Sequence, residues 1–92
     1  MKLRFTIEAL THIADIHLFI EGRSPVAATH IVARIFAAVD RLAEFPNIGH
    51  VGAVPGTYEW IVQGLPYIIV HEIDEKKDEI VVLGIFHGAQ DR

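Results

Sequence analysis

The sequence contains no cysteine, and its basic residues are few and unevenly spread. Without cysteine the chain can form neither a disulfide framework nor a thiolate nucleophile. The 8 Lys and Arg residues are outnumbered by 12 Asp and Glu, which gives a net charge of −4 with histidine neutral. No Lys or Arg occurs between residues 42 and 75. Because nucleic-acid binding depends on Lys and Arg at the phosphates, this balance argues against direct binding of RNA or DNA.

Long apolar runs are also absent, although 51% of the residues are hydrophobic. No run approaches the roughly 18 residues that a membrane helix requires, so no membrane association is expected. Arg4, Thr6 and Glu8 interrupt the first residues, so no signal peptide is predicted. We therefore expect a single domain over residues 1–92, located in the cytoplasm.

Two apolar runs separated by a tight turn predict the centre of the fold. The runs Trp60–Val62 and Tyr67–Val70 flank a Gln-Gly-Leu-Pro turn, which is typical of two paired strands. Tyr67–Val70 is apolar throughout, so both of its faces should be covered and it should be the central strand. A third run, Ile80–Phe86, follows a charged turn, and the three runs form a predicted β-meander.

The first quarter of the chain changes from a strand pattern to a helix pattern. Residues 2–7 alternate polar and apolar, which indicates an edge strand whose apolar side chains face the core. These core-facing residues are Leu3, Phe5 and Ile7. A helical stripe then predicts a helix over residues 8–21, ended by Gly22 as a left-handed C-cap residue. The stripe consists of Ala9, Ile13, Ile16 and Ile20.

A second helix is predicted between Ser24 and Pro46. Ser24 suits the N-cap and Pro25 the first helical position. The helix should end at residue 43 or 44, because Pro46 disfavours helix in the residue before it. The short linker makes the two helices an antiparallel hairpin. The predicted fold is a two-layer α+β domain of order β-α-α-β-β-β, with the hairpin packed on a small, mainly antiparallel sheet.

Side chains capable of catalysis are present but show no recognisable arrangement. The six histidines include no HExxH motif and no Cys/His cluster, so neither a metal site nor a cofactor is predicted. Ser24, the only serine, is explained as an N-cap. Tyr67 and His87 have acid–base character on the sheet, but a core aromatic and a strand-end residue explain them more simply. The loop over residues 45–56 lacks the Gly-Lys-Ser/Thr of a phosphate-binding loop.

Four segments resemble, in the same order, the ParE branch of the RelE/ParE toxin superfamily. They are Pro46–Gly52, Pro55–Trp60, Leu65–Val70 and Ile80–Arg92, the last ending in His-Gly-Ala-Gln-Asp-Arg. The helical spacing and Ser24-Pro25 match as well, so the resemblance covers essentially the whole chain. It implies the toxin of a type II toxin–antitoxin module, held by a small cognate antitoxin in a hetero-oligomer such as a heterotetramer. ParE-type members inhibit DNA gyrase, whereas RelE-type members cleave messenger RNA in the ribosome.

The distribution of charge favours the ParE-type activity. RNA cleavage needs a cation near the reacting phosphate, and the three apolar strands predicted after residue 59 contain no Lys or Arg. His87 resembles the acid–base histidine of some ribonuclease members, but Gly88 follows where those have tyrosine. We therefore expect a non-catalytic inhibitor of gyrase. A ribonuclease would instead use His87, Tyr67 and Arg92, and a non-toxic domain that retains only antitoxin binding is a third interpretation.

The resemblance also selects residues for two interfaces. His50 and Tyr58 stand where ParE relatives usually have Arg, so they, with His87 and Arg92, are candidates for target inhibition. An antitoxin segment that folds on binding needs apolar grooves and an open sheet edge. The candidate anchors for it are Phe19, Val32, Phe36, Tyr58 and Trp60. Trp60 is explained equally well as a core residue, because Trp is usually well buried.

Overall fold

The computed structural model describes residues 1–88, which form a five-stranded sheet and two helices. The strands are β1 (Lys2–Phe5), β2 (His50–Val51), β3 (Tyr58–Ile61), β4 (Tyr67–Asp74) and β5 (Glu79–His87). The helices α1 (Ile7–Glu21) and α2 (Pro25–Glu44) follow β1 directly. The strand order across the sheet is β1-β5-β4-β3-β2. The predicted two-layer α+β arrangement is confirmed, with β4 at the centre of the sheet.

The sheet is antiparallel except at one edge. From β2 to β5 each strand pairs antiparallel with the next. β1 instead runs parallel to β5, with Leu3 opposite Ile80 and Phe5 opposite Val82. Parallel strands cannot be joined by a tight turn and need a long connection. The chain that connects β1 to β5 contains the helical hairpin, which packs on one face of the sheet.

The core lies between the helical hairpin and this face of the sheet. Strand alternation places Ile69 of β4 and its partner Ile85 of β5 on the same side, toward the helices. The buried cluster comprises Ala9, Ile13, Ile35, Val39, Leu42, Val62, Ile69, Ile80, Val82 and Ile85. Among residues 1–88, neither helix is both long and apolar enough to cross a membrane.

Two sequence predictions at α1 are wrong. Ile7 is the first residue of the helix and is 79% exposed, so it does not face the core from a strand. The strand ends early because Thr6 is the N-cap, and its Oγ1 accepts the N–H of Ala9 at 3.1 Å. Gly22 has a φ of −61° and is right-handed, because the next residues continue the turn. The N–H groups of Arg23 and Ser24 both donate to the carbonyl of Ile20.

The loop between α2 and β3 contains the short strand β2, which the sequence did not predict. His50 pairs with Glu59 and Val51 with Tyr58, which extends the meander by one strand. Beyond β2 the loop is closed at Thr57, whose carbonyl accepts the N–H of Gly52 at 2.8 Å. A two-residue strand among glycines and prolines has no periodicity that sequence patterns can show.

Candidate functional surfaces

A cleft of about 230 Å³ at one end of β4 and β5 gathers four ionisable side chains. Tyr67 lies opposite His87 in the strand register, and their rings meet edge to face with centroids 5.7 Å apart. His12 and Asp15 of α1 complete this set. The sequence pointed to Tyr67 and His87 but missed the other two, because they fall off the helical stripe that faces the core.

His12 reaches this cleft because β1 ends before β5 does. The pairing of β1 stops at Val82, so the later part of this β5 edge has no neighbouring strand among residues 1–88. The Nδ1 atom of His12 accepts the N–H of Ile85 there, at 3.1 Å. A neutral ring whose Nδ1 accepts a hydrogen bond carries its proton on Nε2. The ring of His12 also packs against Phe86, with centroids 5.0 Å apart, so both contacts fix its position.

The electrostatics of this cleft do not suit a phosphate. In the described part of the chain, no Lys or Arg lines it, and its only carboxylate belongs to Asp15. Arg92, which the sequence assigned to the same candidate site, lies outside the described residues. The described groups can exchange protons, but they provide no cation to stabilise charge on a reacting phosphate.

The candidates for target inhibition are not gathered in one site. His50 and Tyr58 lie on the adjacent strands β2 and β3, where Tyr58 pairs with His71 of β4. His71 is four residues along β4 from Tyr67, which corresponds to about 13 Å. His50 and Tyr58 therefore lie toward one end of β4, and His87 lies at the other.

Tyr58 contacts a buried histidine that the sequence analysis did not single out. His71 is fully buried, and its ring lies tilted against that of Tyr58 with centroids 6.0 Å apart. In residues 1–88 neither ring nitrogen has a hydrogen-bond partner of normal geometry. Burial lowers the pKa of His71, and the nearby backbone of Ile69 offsets this only in part. A Cβ atom on Gly49 would lie 2.9 Å from Cε1 of His71, so the loop before β2 packs directly on this ring.

Strand β2 and the loop that joins it to β3 present apolar side chains to solvent. Val51 is 83% exposed and Val54 is 63% exposed. The backbone beneath them is nevertheless ordered, since the Thr57 hydroxyl donates to the carbonyl of Val54 at 2.6 Å. The N–H of Ala53 donates to Oε2 of Glu59 at 3.3 Å. An ordered loop with exposed apolar side chains is typical of a surface that binds another protein.

Trp60 lies at a second cleft, of about 210 Å³, between α2 and β3. The side chain is partly buried and packs against the core cluster, but it also lines the cleft. Arg34 and Arg41 of α2 line the same cleft. Arg34 donates to the carbonyl of Gln63, and Arg41 lies over the ring of Phe45, 5.3 Å from its centroid. Trp60 thus contributes to the core and is accessible from a cleft that is basic.

The other predicted antitoxin anchors lie on separate surfaces. Phe36 is 39% exposed and packs against Phe5, with ring centroids 5.7 Å apart. Phe19 is largely exposed beneath Arg23, whose guanidinium carbon is 4.9 Å from the ring centroid. Val32 lines a third hollow, a groove between α1 and α2. The structure therefore does not bring the five anchors into one site.

Comparison with known proteins places this fold in a family. Residues 3–92 match the family model described as the ParE toxin of the type II toxin–antitoxin system parDE. The chain belongs to the ParE toxin family. A relative from Sinorhizobium fredii (strain NBRC 101917 / NGR234), named "Putative toxin Y4kP", is 37% identical over 89 residues. That match covers 97% of this ParE-family chain and 90% of the relative.

Solved structures share the fold of this ParE-family chain. One is described as the chromosomal ParDE TA system from P. aeruginosa, with a TM-score of 0.81, 22% identity and 95% of each chain covered. A chain of the structure described as the intact E. coli RelBE toxin–antitoxin complex gives a TM-score of 0.72 at 15% identity, covering 98% of each chain. Identities this low establish a common fold and leave the activity to be argued from the residues.

Metal ligation has no support in the described residues of this ParE-family chain. Across residues 1–88, no three His, Cys, Asp or Glu side chains are grouped so that they could hold a metal ion.

Proposed function

We propose that this ParE-family chain is the toxin of a type II toxin–antitoxin module and inhibits DNA gyrase by binding it, without catalysing a reaction. The proposal that the chain is not a catalyst rests on the side chains that line the Tyr67–His87 cleft. Among residues 1–88 its lining contains the carboxylate of Asp15 and no Lys or Arg, so the described lining offers an RNA phosphate no guanidinium or ammonium group. Binding of gyrase places the activity in the cytoplasm.

We assign target binding to the loop between β2 and β3. His50 and Val51 form β2 before this loop, and Tyr58 begins β3 after it. The side chains of Val51 and of Val54, which lies within the loop, expose apolar surface. Exposed apolar side chains on a hydrogen-bonded loop bury area on docking without a large ordering cost. The N–H of Gly52 donates to the carbonyl of Thr57 at 2.8 Å across this loop, which fixes its position.

A supercoiling assay with purified gyrase tests this assignment. The purified chain should inhibit supercoiling of relaxed plasmid, and Val51→Asp should raise the concentration required by about tenfold, because a buried apolar contact is lost. Val26→Asp is the matched control, since Val26 is 69% exposed at the start of α2, on another surface. Equal inhibition by Val51→Asp would remove the loop from the interface, and no inhibition by the wild-type chain would refute gyrase as the target.

We assign antitoxin binding to the cleft at Trp60. The P. aeruginosa ParDE system and the E. coli RelBE complex pair toxin with antitoxin, which supports such a partner here. The ring of Trp60 gives the cleft an aromatic surface, and Trp is frequent among the residues that contribute most of the binding energy at protein interfaces. Arg34 and Arg41 at its rim favour a partner segment that carries carboxylates beside its apolar anchor.

Calorimetric titration with the antitoxin tests the cleft. Trp60→Ala should weaken binding about thirtyfold, in the range of an interface hot spot. Because Trp60 also packs on the core, Arg41→Glu is the companion variant that leaves the core unchanged, and it should weaken binding about tenfold. Val26→Ala should bind as the wild type does. Unchanged affinity for both Trp60→Ala and Arg41→Glu would place the antitoxin elsewhere.

A ribosome-dependent mRNA endonuclease is the second candidate function. The edge-to-face contact between Tyr67 and His87 favours it, because it places two acid–base groups in one cleft. Under the endonuclease hypothesis, His87 would transfer the proton and Arg92 would supply the positive charge near the reacting phosphate. His87→Gln would then abolish toxicity, whereas a gyrase inhibitor that binds through the β2–β3 loop would retain it.

A non-toxic domain that only binds antitoxin is the third candidate. His50 and Tyr58, where the resemblance expects Arg, favour it. Its signature would be antitoxin binding of normal strength with no effect of the free chain on growth.

A further inference from the structure

The walls of the Tyr67–His87 cleft are held in position by contacts within the chain. The ring of His12 accepts the N–H of Ile85 at 3.1 Å through Nδ1 and packs against the ring of Phe86, with centroids 5.0 Å apart. Gly84 makes room for both rings, because a Cβ atom there would lie 2.8 Å from Cε2 of Phe86 and 3.0 Å from Cε1 of His12. A cleft whose walls are ordered before binding loses little conformational entropy when a ligand enters.

The chemistry of these walls suits a positive charge. Asp15 supplies the carboxylate of the lining, and no Lys or Arg of residues 1–88 lines the cleft. Within the same part of the chain Asp15 forms no ion pair. The aromatic rings of Tyr67 and Phe86 line the cleft as well. The face of an aromatic ring carries negative electrostatic potential and attracts cations, so the rings and the carboxylate favour the same kind of ligand.

Three other classes of ligand fit these walls less well. A phosphate or carboxylate would meet Asp15, and the described lining offers it no guanidinium or ammonium group. A metal ion needs several ligands, and residues 1–88 contain no group of three His, Cys, Asp or Glu side chains that could hold one. A wholly apolar molecule would desolvate Asp15 without giving it a partner.

We propose that the Tyr67–His87 cleft binds a guanidinium group carried on a short alkyl stem. The planar, weakly hydrated guanidinium can stack on an aromatic ring and bind a carboxylate through two parallel hydrogen bonds. The stem would lie against Ile16 and Ile85, which also line the cleft. The cleft volume of about 230 Å³ is smaller than the roughly 300–1,000 Å³ of sites for drug-sized ligands, which suits a group of this size. This site depends on neither gyrase inhibition nor the assignment of the antitoxin to the Trp60 cleft.

Amide NMR spectra of the full chain, titrated with two small probes of the same shape, test the site. The cation n-butylguanidinium should bind with a Kd of about 1 mM, the range expected when an ion pair and a cation–π contact supply the binding energy. The neutral n-butylurea should bind at least about tenfold more weakly. The amide signal of Ile85 should shift most with the cation, because its N–H is bound by His12 in the wall of the cleft. Added sodium chloride should weaken binding by screening the charges.

Variants of the full chain locate the bound cation. Asp15→Asn should weaken binding of n-butylguanidinium about fivefold, because the paired carboxylate is lost. Asp40→Asn is the matched control, with the same change of charge at an exposed position of α2, and should bind within about twofold of wild type. Phe86→Leu keeps an apolar side chain but removes the ring, so it should weaken binding about threefold. Circular dichroism checks that each variant is folded.

A blocked peptide with one Arg among Gly and Ala distinguishes the two sources of a guanidinium group. Equal affinity for the peptide and for n-butylguanidinium would assign the cleft to an arginine side chain of a partner protein, and exclusion of the peptide would assign it to a free small molecule. Four results would overturn the proposal. They are equal binding of n-butylurea, tighter binding of inorganic phosphate, no saturable shift up to about 50 mM cation, and equal effects of Asp15→Asn and Asp40→Asn.

Discussion

At the scale of single residues, His71 has the least ordinary environment in the described structure. It is fully buried, faces the ring of Tyr58, and has no hydrogen-bond partner of normal geometry among residues 1–88. A neutral imidazole tolerates this better than a charged one, since an unpaired charge loses its hydration on burial. The neutral ring therefore packs against Tyr58, one of the proposed gyrase-binding residues, and against Gly49 just before β2.

Acidification should destabilise the protein through His71. The unfolded chain titrates at this residue near 6.5, whereas burial keeps the pKa lower in the folded state. Between these values the unfolded state binds a proton that the folded state does not, so stability rises with pH. The contribution is complete above pH 6.5 and is lost as the pH falls below it. Urea unfolding should give a lower free energy of unfolding at pH 5.5 than at pH 7.5, and part of that loss should come from this residue.

His71→Leu isolates this contribution. The variant keeps a similar volume and removes two unsatisfied polar atoms, so its free energy of unfolding at pH 7.5 should change by less than about 1 kcal/mol. It should lose the part of the pH dependence that belongs to His71. His30→Gln, at an exposed position of α2, should retain it. The same pH dependence in His71→Leu as in wild type would contradict the account.

Gly49→Ala should destabilise the protein, because the added methyl group meets His71 Cε1 at 2.9 Å and the carbonyl of Glu59 at 3.2 Å. A cost of about 1–3 kcal/mol is expected for such overpacking. Gly22→Ala is the control, since its nearest neighbour is 3.6 Å away and its φ is helical, so it should be neutral or slightly stabilising. Thermal unfolding measures both. A Gly49→Ala protein as stable as wild type would show that the loop before β2 is not closely packed against the His71 ring.

The sequence could not predict these residues, for a physical reason. His71 directly follows the apolar run Tyr67–Val70. A histidine at such a position is as compatible with the exposed end of a strand as with the buried core. Its burial depends on Gly49, 22 positions earlier, and no local pattern connects the two. The same holds for His12, whose acceptor role depends on where β1 ends beside β5.

At the scale of elements, Thr6 connects the first helix to the sheet. The Oγ1 atom of Thr6 caps α1 by accepting the N–H of Ala9. The same hydroxyl donates toward two carbonyl oxygens of β5, that of Val82 at 3.2 Å and that of Leu83 at 3.1 Å. Its own N–H donates to the carbonyl of Val82 at 3.0 Å. One residue therefore ends β1, starts α1 and attaches both to β5.

Thr6→Ala should cost more stability than Ser24→Ala. Ser24 caps α2 through a single bond to the N–H of Ala27, and its loss should cost about 1 kcal/mol. Thr6→Ala loses a cap and also the contacts of the hydroxyl with the carbonyls of Val82 and Leu83, so a cost of about 2 kcal/mol is expected. Chemical denaturation of the two variants compares them directly. Equal losses would mean that the bonds from Thr6 to β5 contribute nothing to stability.

The elements that the sequence predicted best have signals of their own. Ser24, Pro25 and the helical stripes define α1 and α2 to within a residue, because capping and periodicity act locally. β2 was missed because its pairing with β3 depends on the closure of a loop at Gly52 and Thr57. The parallel pairing of β1 with β5 joins residues about 77 positions apart, as Leu3 and Ile80 show, and the alternation in residues 2–7 indicates a strand but not its neighbour.

At the scale of the whole molecule, our proposal of gyrase inhibition rather than RNA cleavage rests on the distribution of charge. β3, β4 and β5 contain no Lys or Arg in the described structure, so a ribonuclease would lack its cation there. Arg34 and Arg41, which line the Trp60 cleft, lie on α2, where they suit a protein partner. The family resemblance predicted the fold and the family correctly. The residues that contact target and antitoxin stay a prediction, because surface chemistry varies within a fold.

Expression of this chain alone, with growth, plasmid supercoiling and transcript integrity followed together, tests the central claim most directly. We predict growth arrest with loss of plasmid supercoiling while transcripts stay intact, and rescue when the antitoxin is expressed with it. Growth arrest with rapid transcript cleavage and unchanged supercoiling would contradict the claim and make His87 the first residue to substitute. Normal growth would equally contradict it, and would indicate a domain that binds its partner but no longer inhibits a target.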